Sequence, residues 1–363
     1  MADSFELEVL DVVKETEDAR SIVLDPGEYR EHFSYRSGQF LTVAVPSDRT
    51  GLVARCYSLS STPVDDDGPL TITVKRTEDG FASIWICDEL KPGDQLRVLP
   101  PSGIFTPKDY DADLLLFAAG SGITPIMSIT RTALATGSGR IVLFYANRDD
   151  RSVIFGGALS ELAAEHPDRL HVVHWLESVQ GLPSQDQMRE FAAQYAEWEA
   201  FVCGPTPFMK VTVAALRELE FPRERRHQEK YVSLGGNPFE VGAERVPDEP
   251  GAEPDDEPGD EAPAVAAPSG PAAHLLVDLD GEDYEFNDWK PGTTILEHLE
   301  SKGIKAPYSC REGECSACAV RLLEGEVTMR ANDVLEDEDL AEGIRPGCQS
   351  EAATEKVRVT YSG

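Results

Sequence analysis

Four of the seven cysteines form a set: Cys310, Cys315, Cys318 and Cys348, with four, two and twenty-nine residues between successive members. Thiolates are soft ligands that suit iron, and this spacing is one by which four cysteines hold a [2Fe–2S] cluster. The loop must also be compact. In "CREGECSACAV", residues 310–320, Gly313, Ser316 and Ala317 let amide N–H groups approach cluster sulfurs without side-chain clashes. Tetrahedral zinc is the competing occupant, but zinc sites favour two separated Cys-x2-Cys pairs, whereas three of these ligands share one loop. Cys56, Cys87 and Cys203 stand alone, and an isolated thiol is most often a small buried hydrophobe.

A second group of residues suits a flavin and a nicotinamide nucleotide. In "ARCYSLSS" a strand period of two puts Arg55 and Tyr57 on one side and Cys56 and Ser58 on the other. The arginine could neutralise a cofactor phosphate while the ring packs on an isoalloxazine; an ordinary strand with a surface arginine is the plainer alternative. Downstream, "VKRTEDGFASIW" carries Lys75 and sets Gly80, Ala82 and Ser83 at the start of a short helical run, where free N–H groups and the helix dipole would hold a pyrophosphate. "FAAGSGITPIMSI" places Gly120 and Gly122 at a strand-to-helix turn, with Thr124 expected as N-cap and Pro125 in the first helical turn. "FVCGPTPFM" ends an apolar strand with Cys203, at the carboxyl edge where open α/β sheets bind ligands.

The elements that must position these residues fall into three groups. From Phe5 to about Ser102, short β-rich runs separated by Gly, Pro and Asp indicate an antiparallel barrel or sandwich. From about Asp111, apolar strands alternate with amphipathic helices, which indicates a parallel sheet covered on both faces. Residues 240–273 are rich in Pro, Gly and acids and have no aromatic. This reads as a linker that cannot pack, reaching roughly 30 to 35 Å if flexible. Beyond it, "HLLVDLDGEDYEFN" reads as a hairpin about an Asp-Gly turn and "TTILEHLESKGI" as a helix begun by Thr and ended by Gly. The expected organisation is multidomain: 5–107 an FAD-binding antiparallel β-barrel, 110–235 an NAD-binding α/β domain, 240–273 the linker, and 274–363 an α+β iron–sulfur domain.

A formal net charge of −33 on 363 residues repels phosphate backbones and argues against nucleic acid as a partner. No run of 18 apolar residues is present, and "MADSFELEVL" lacks a basic segment followed by an apolar one. A cytoplasmic protein with no membrane partner is the expectation. His171 and His174, three apart on an apparent strand, point to opposite faces and are expected to be structural.

Residues 273–363 resemble a plant-type ferredoxin with a β-grasp fold, with Ser316 where the commoner loop has glycine. RxYS, GSGxTP and CGPxxM in this order resemble the ferredoxin–NADP reductase superfamily over roughly residues 5–235. That resemblance implies that Arg55 holds the flavin phosphate, Tyr57 stacks on the ring and Ser58 bonds near flavin N5. It also implies that Gly120, Gly122 and Thr124 hold the nicotinamide nucleotide and that Cys203 lies near the reacting carbon. In "HQEKYVSL", Glu229 and Tyr231 match a segment that lies over the flavin in relatives. The candidate catalytic residues are thus Ser58, Cys203 and Glu229. Resemblance favours FAD over FMN; Asp149 and Asp150 in "YANRDDRS" favour NADH over NADPH, although Arg148 and Arg151 in the same loop argue the other way.

A nicotinamide gives up two electrons as hydride and an iron–sulfur cluster accepts one at a time, so a flavin is the needed converter. None of the seven histidines makes a Rieske or di-iron pattern, so a separate oxygenase is implied as acceptor. Longer stretches, among them "PSDRTGLVARCYSLSSTP" and "NDVLEDEDLAEGIRPGCQS", resemble the reductase components of bacterial 3-ketosteroid 9α-hydroxylases, which implies a Rieske-type oxygenase as partner. The reductase of phenylacetyl-CoA epoxidase is the alternative, and a flavin- and metal-binding sensor without turnover is the alternative of a different class.

Overall fold

The computed structural model describes residues 4–47, 51–64, 68–77, 80–229, 239, 272–279, 282–304, 306–308, 311, 313, 317–332, 334–335 and 337–361. Most of the expected linker, together with Tyr231, Cys310 and Cys315, lies outside them. The chain divides into two units, Ala2–Tyr231 and Val232–Gly363.

The first unit begins with six strands, β1 (Phe5–Lys14), β2 (Ala19–Asp25), β3 (Phe40–Ser47), β4 (Gly51–Ser58), β5 (Leu70–Lys75) and β6 (Gln95–Val98), and one helix, α1 (Phe81–Glu89). Alternation makes these strands: in β1, Phe5, Leu7 and Val9 are buried while Glu6, Glu8 and Leu10 face out. Pairing is antiparallel throughout, in the order β4-β3-β6-β1-β2-β5. A bridge between Leu59 and Ile72 joins the two edge strands and closes the barrel. Ile22, Leu41, Ile72 and Leu96 are among the side chains that fill it.

The same unit continues with β7 (Leu114–Ala119), α2 (Ile123–Thr136), β8 (Ile141–Asn147), α3 (Gly156–Glu165), β9 (Leu170–Leu176), α4 (Glu177–Gln180), α5 (Gln185–Ala192), β10 (Glu199–Cys203), α6 (Thr206–Glu218) and β11 (Arg226–Glu229). The sheet is parallel in the order β11-β10-β7-β8-β9. Every residue of β7 is buried because the sheet is covered on both faces, Leu114 and Leu116 on one side and Leu115 and Phe117 on the other. Strand order reverses between β7 and β10, which opens a crevice at their carboxyl ends.

The second unit contains β12 (Ala273–Leu279), β13 (Glu282–Trp289), α7 (Ile295–Ser301), β14 (Ala319–Glu324), β15 (Val327–Met329), α8 (Asp337–Ala341), β16 (Ile344–Pro346), β17 (Ser350–Ala352) and β18 (Lys356–Thr360). Its mixed sheet runs β13-β12-β18-β14-β16, and α7 packs Ile295, Leu296 and Leu299 into a core with Trp289. Thr294 starts α7 through a capping box with Glu297, as the expected Thr-initiated helix requires. Strand β12 starts at Ala273, which the expected linker included. No helix among the described residues is long and apolar enough to cross a membrane.

Candidate functional site

The crevice between β7 and β10 is shaped by close backbone approach. Gly120–Gly122 form a tight 3-10 turn after β7, and a Cβ on Gly122 would lie 2.2 Å from the Cys203 carbonyl oxygen. Only glycine lets the two strand ends come together there. Tyr145 on β8 donates its hydroxyl proton to the Gly120 carbonyl at 3.1 Å and so holds the turn from beneath. Thr124 corrects the sequence expectation: α2 is capped by Gly122, and Thr124, 2% exposed, is its second residue. The helix therefore begins two residues earlier than a threonine cap at 124 would set it.

Lys75 reaches this turn from the barrel; a Cβ on Gly120 would lie 3.8 Å from its Nζ. Burial lowers the Lys75 pKa, opposed by Asp18, whose carboxylate stands 3.8 Å away. Asp18 also accepts from Arg148 at 2.8 Å. That pair occupies Arg148 on the barrel side. Asp149, expected to favour NADH, caps a short 3-10 turn, accepting from the Ser152 N–H at 3.0 Å.

Cys203 ends β10 and is fully buried, paired in register with Ala118 of β7 and Glu229 of β11. Burial raises the Glu229 carboxyl to about 8. The sheet thus brings Cys203, Glu229 and the glycine turn to one edge. Tyr231 lies outside the described residues.

On the barrel, Arg55, Tyr57 and Ser58 occupy the end of β4. Arg55 donates to the Ala54 carbonyl at 2.8 Å, and burial pushes the Tyr57 hydroxyl well above its usual range. Ser58 is 2% exposed and its Oγ has no hydrogen-bond partner among the described residues. A buried hydroxyl left over in this way is costly unless a ligand takes it up, so this strand end fits a flavin. Gly80 is the N-cap of α1 without a side-chain cap, so the N–H groups of Phe81 and Ala82 lack an intrahelical acceptor. Ser83 closes the preceding turn, accepting from the Thr77 N–H at 3.0 Å and donating to the Gly80 carbonyl at 3.1 Å. These two bonds tie Thr77 and Gly80 to Ser83 at the start of α1.

The seam between barrel and parallel sheet is built from residues that carry no local motif. Along α2, Ser128 donates to the Ser61 carbonyl at 2.6 Å, Arg131 to the Ser60 carbonyl at 3.0 Å, and Thr132 meets Thr62 at 3.1 Å. The helix that begins at the glycine turn thus grips the chain directly after Ser58. No local signal could have revealed this, because each pair is about 70 residues apart in sequence.

In the second unit, Cys318 and Cys348 are buried, and the Cys348 N–H points to Cys318 Sγ at 3.4 Å. Gln349 Nε2 stands 3.8 Å from Cys348 Sγ. Such N–H···S contacts stabilise thiolate charge. Gly313 has φ +81°, and its Cβ would lie 2.9 Å from the Ala331 carbonyl oxygen, so glycine is required in the loop. Arg311 pairs with Glu300 of α7 and covers the Tyr308 ring at 4.0 Å, tying the loop to the helix. Two soft ligands with N–H donors and a glycine loop fit an iron–sulfur cluster; Cys310 and Cys315 lie outside the described residues.

Three domain families match this chain: Oxidoreductase FAD-binding domain over residues 6–106, Oxidoreductase NAD-binding domain over 116–214, and 2Fe-2S iron-sulfur cluster binding domain over 277–353. The chain is 49% identical over 358 residues to the 3-ketosteroid-9-alpha-monooxygenase ferredoxin reductase component of Rhodococcus rhodochrous, covering 98% of this chain and 96% of that one. It is 29% identical to a component of the 1,2-phenylacetyl-CoA epoxidase of Escherichia coli, covering 98% and 97%. Its fold is similar to the solved structure of phthalate dioxygenase reductase, with TM-score 0.56, 23% identity and 98% of each chain covered.

Proposed function

The chain belongs to the family of 3-ketosteroid-9-alpha-monooxygenase ferredoxin reductase components, and from that membership we propose that it supplies electrons to a separate Rieske-type oxygenase that hydroxylates a 3-ketosteroid at C9. It is an oxidoreductase with FAD-binding, NAD-binding and [2Fe–2S] domains. The observation that carries the steroid assignment is near-full-length identity of 49% to the steroid reductase, against 29% to the epoxidase component. A flavin held at Arg55, Tyr57 and Ser58 would supply the conversion of two-electron nicotinamide chemistry into single electrons, and a cluster held by the four cysteines would supply one-electron transfer.

The proposal extends to residues. Arg55, Lys75 and the first turn of α1 at Gly80, Ala82 and Ser83 hold cofactor phosphates; Tyr57 and Tyr231 cover the flavin ring; Ser58 bonds at its reactive edge. Gly120, Gly122 and Thr124 seat the nicotinamide nucleotide, with Cys203 and Glu229 at the reacting end of the crevice. Cys310, Cys315, Cys318 and Cys348 bind the cluster. The domain bounds 5–107, 110–235 and 274–363, the linker and a cytoplasmic site of action belong to the same proposal.

Mixing the purified protein with a 3-ketosteroid Rieske oxygenase, NADH and a 3-ketosteroid tests it. Near-stoichiometric 9α-hydroxylated product per NADH is expected. NADH oxidation with no hydroxylation, accompanied by turnover with the phenylacetyl-CoA epoxidase oxygenase, would transfer the assignment to that system.

A further inference from the structure

The carboxyl edge of the parallel sheet presents its strand ends in a fixed order. Cys203 ends β10, the Gly120–Gly122 turn follows β7, and Arg148 follows β8, which flanks β7 on the side away from β10. Parallel strands lie about 4.8 Å apart, so a dinucleotide with its nicotinamide toward Cys203 and its pyrophosphate at the glycine turn carries its adenosine ribose on to the end of β8. NADH and NADPH differ at that ribose, by a 2′-hydroxyl against a 2′-phosphate, and an arginine in this place suits the phosphate. Here the arginine is already engaged. Arg148 Nη2 donates to Asp18 Oδ2 at 2.8 Å, across 130 residues of sequence, and Lys75 Nζ stands 3.8 Å from the same oxygen. Asp18 is held in the turn between β1 and β2, where the Thr16 hydroxyl donates to its Oδ1 at 2.8 Å and its carbonyl accepts the Arg76 N–H at 2.7 Å. Its side chain is 27% exposed against 66% for Arg148, so the carboxylate is the fixed member of the pair and the guanidinium the movable one. Asp149, beside Arg148 in the chain, accepts from Ser152 and pairs with Arg151 at 3.7 Å. The acid that accepts from Arg148 comes from the barrel.

We propose that Asp18 sets the preference for NADH over NADPH, by holding Arg148 away from a 2′-phosphate and keeping a carboxylate beside the end of β8. A 2′-phosphate is anionic and only accepts hydrogen bonds, so it gains Arg148 only by displacing Asp18 and is otherwise repelled by it. A 2′-hydroxyl is neutral and meets no such repulsion. Lys75, whose Nζ would lie 3.8 Å from a Cβ on Gly120, stands at the glycine turn, where the pyrophosphate common to both dinucleotides binds. It therefore serves the two alike, and the ratio of NADPH to NADH use isolates the pair of Asp18 and Arg148. The inference rests on the nicotinamide site proposed above.

The test uses the flavin- and cluster-loaded protein, mixed anaerobically with NADH or NADPH, and reads the second-order rate of flavin reduction by each. Titration with NAD+ and NADP+ makes the same comparison without turnover. Asp18→Asn is expected to raise the NADPH-to-NADH ratio about tenfold in both measurements, since it frees Arg148 for a charge-assisted bond to phosphate. Adding Arg148→Ala to Asp18→Asn should return the ratio to the wild-type value. Arg148→Ala alone should change it less than about twofold, and this variant keeps the inference testable if Asp18→Asn does not fold. A ratio unmoved by Asp18→Asn overturns the inference, as does a gain that survives the loss of Arg148. A wild-type protein that uses NADPH as readily as NADH overturns it too. So does a loss of NADPH use of about tenfold in Arg148→Ala alone, because Arg148 would then already bind the phosphate. Failure of both dinucleotides to bind or reduce the wild-type protein would instead overturn the nicotinamide site, and the inference with it.

Discussion

Gly122 shows how far a single residue constrains the crevice. A Cβ there would meet the Cys203 carbonyl at 2.2 Å, a contact backbone cannot yield without separating β7 from β10. Gly122→Ala should cost about 1–3 kcal/mol of stability and weaken NADH binding more than flavin binding, measured by denaturant unfolding and by titration of each ligand. Glu229 makes a pH-dependent prediction. Its folded pKa, about 8, lies above the ordinary 4.5, so the folded state binds the extra proton between these values. Stability from this group is complete below about pH 4.5 and declines by on the order of 1 kcal/mol per pH unit until about pH 8. Glu229→Gln should flatten that decline in pH-dependent unfolding; an unchanged slope would place the carboxylate in water. At this scale the motif residues were legible because glycine, cysteine and arginine have narrow chemical uses. The cap of α2 was not, since a glycine turn ended the strand before Thr124 could begin the helix.

Among the elements, α2 links the glycine turn to the barrel. Its first turn adjoins the crevice proposed for the nicotinamide nucleotide, and Arg131 holds the chain that leaves Ser58. Burial lowers the Arg131 pKa, yet its bonding to the Ser60 carbonyl keeps it in the seam. Arg131→Ala should retain bound flavin while slowing its reduction by NADH about tenfold, because misplaced reactants lose rate steeply. An unchanged reduction rate would show that the seam tolerates movement. All six barrel strands and strands β7 to β10 could be read from the sequence, since alternation and continuous apolar runs are strong signals. Helix α5 and strand β11 could not: "QDQMREFA" and "RHQE" are short and polar, and they form because α6 and β10 pack beside them. The grip of α2 on Ser60–Thr62 was equally invisible, being a product of tertiary contact alone.

Over the whole molecule, the proposed function loads flavin and cluster separately, in the two units. Cys318→Ser or Cys348→Ser should abolish the cluster signal while leaving flavin content and its reduction by NADH nearly intact, as read by visible spectra. The net charge of −33 predicts that electron delivery to an oxygenase with a basic face slows as salt rises, because exposed charge pairs are screened over about 10 Å at 0.1 M salt. Glu312 and Glu314, beside the cluster ligands and outside the described residues, are the acids to test. The most direct measurement is anaerobic rapid mixing with NADH, following flavin absorbance and the paramagnetic signal of the reduced cluster together. Flavin bleaching followed by appearance of the cluster signal is the predicted course, with the Cys318→Ser protein showing the bleaching alone. A flavin that is reduced while an intact cluster stays oxidised would contradict electron flow from NADH through flavin to the cluster.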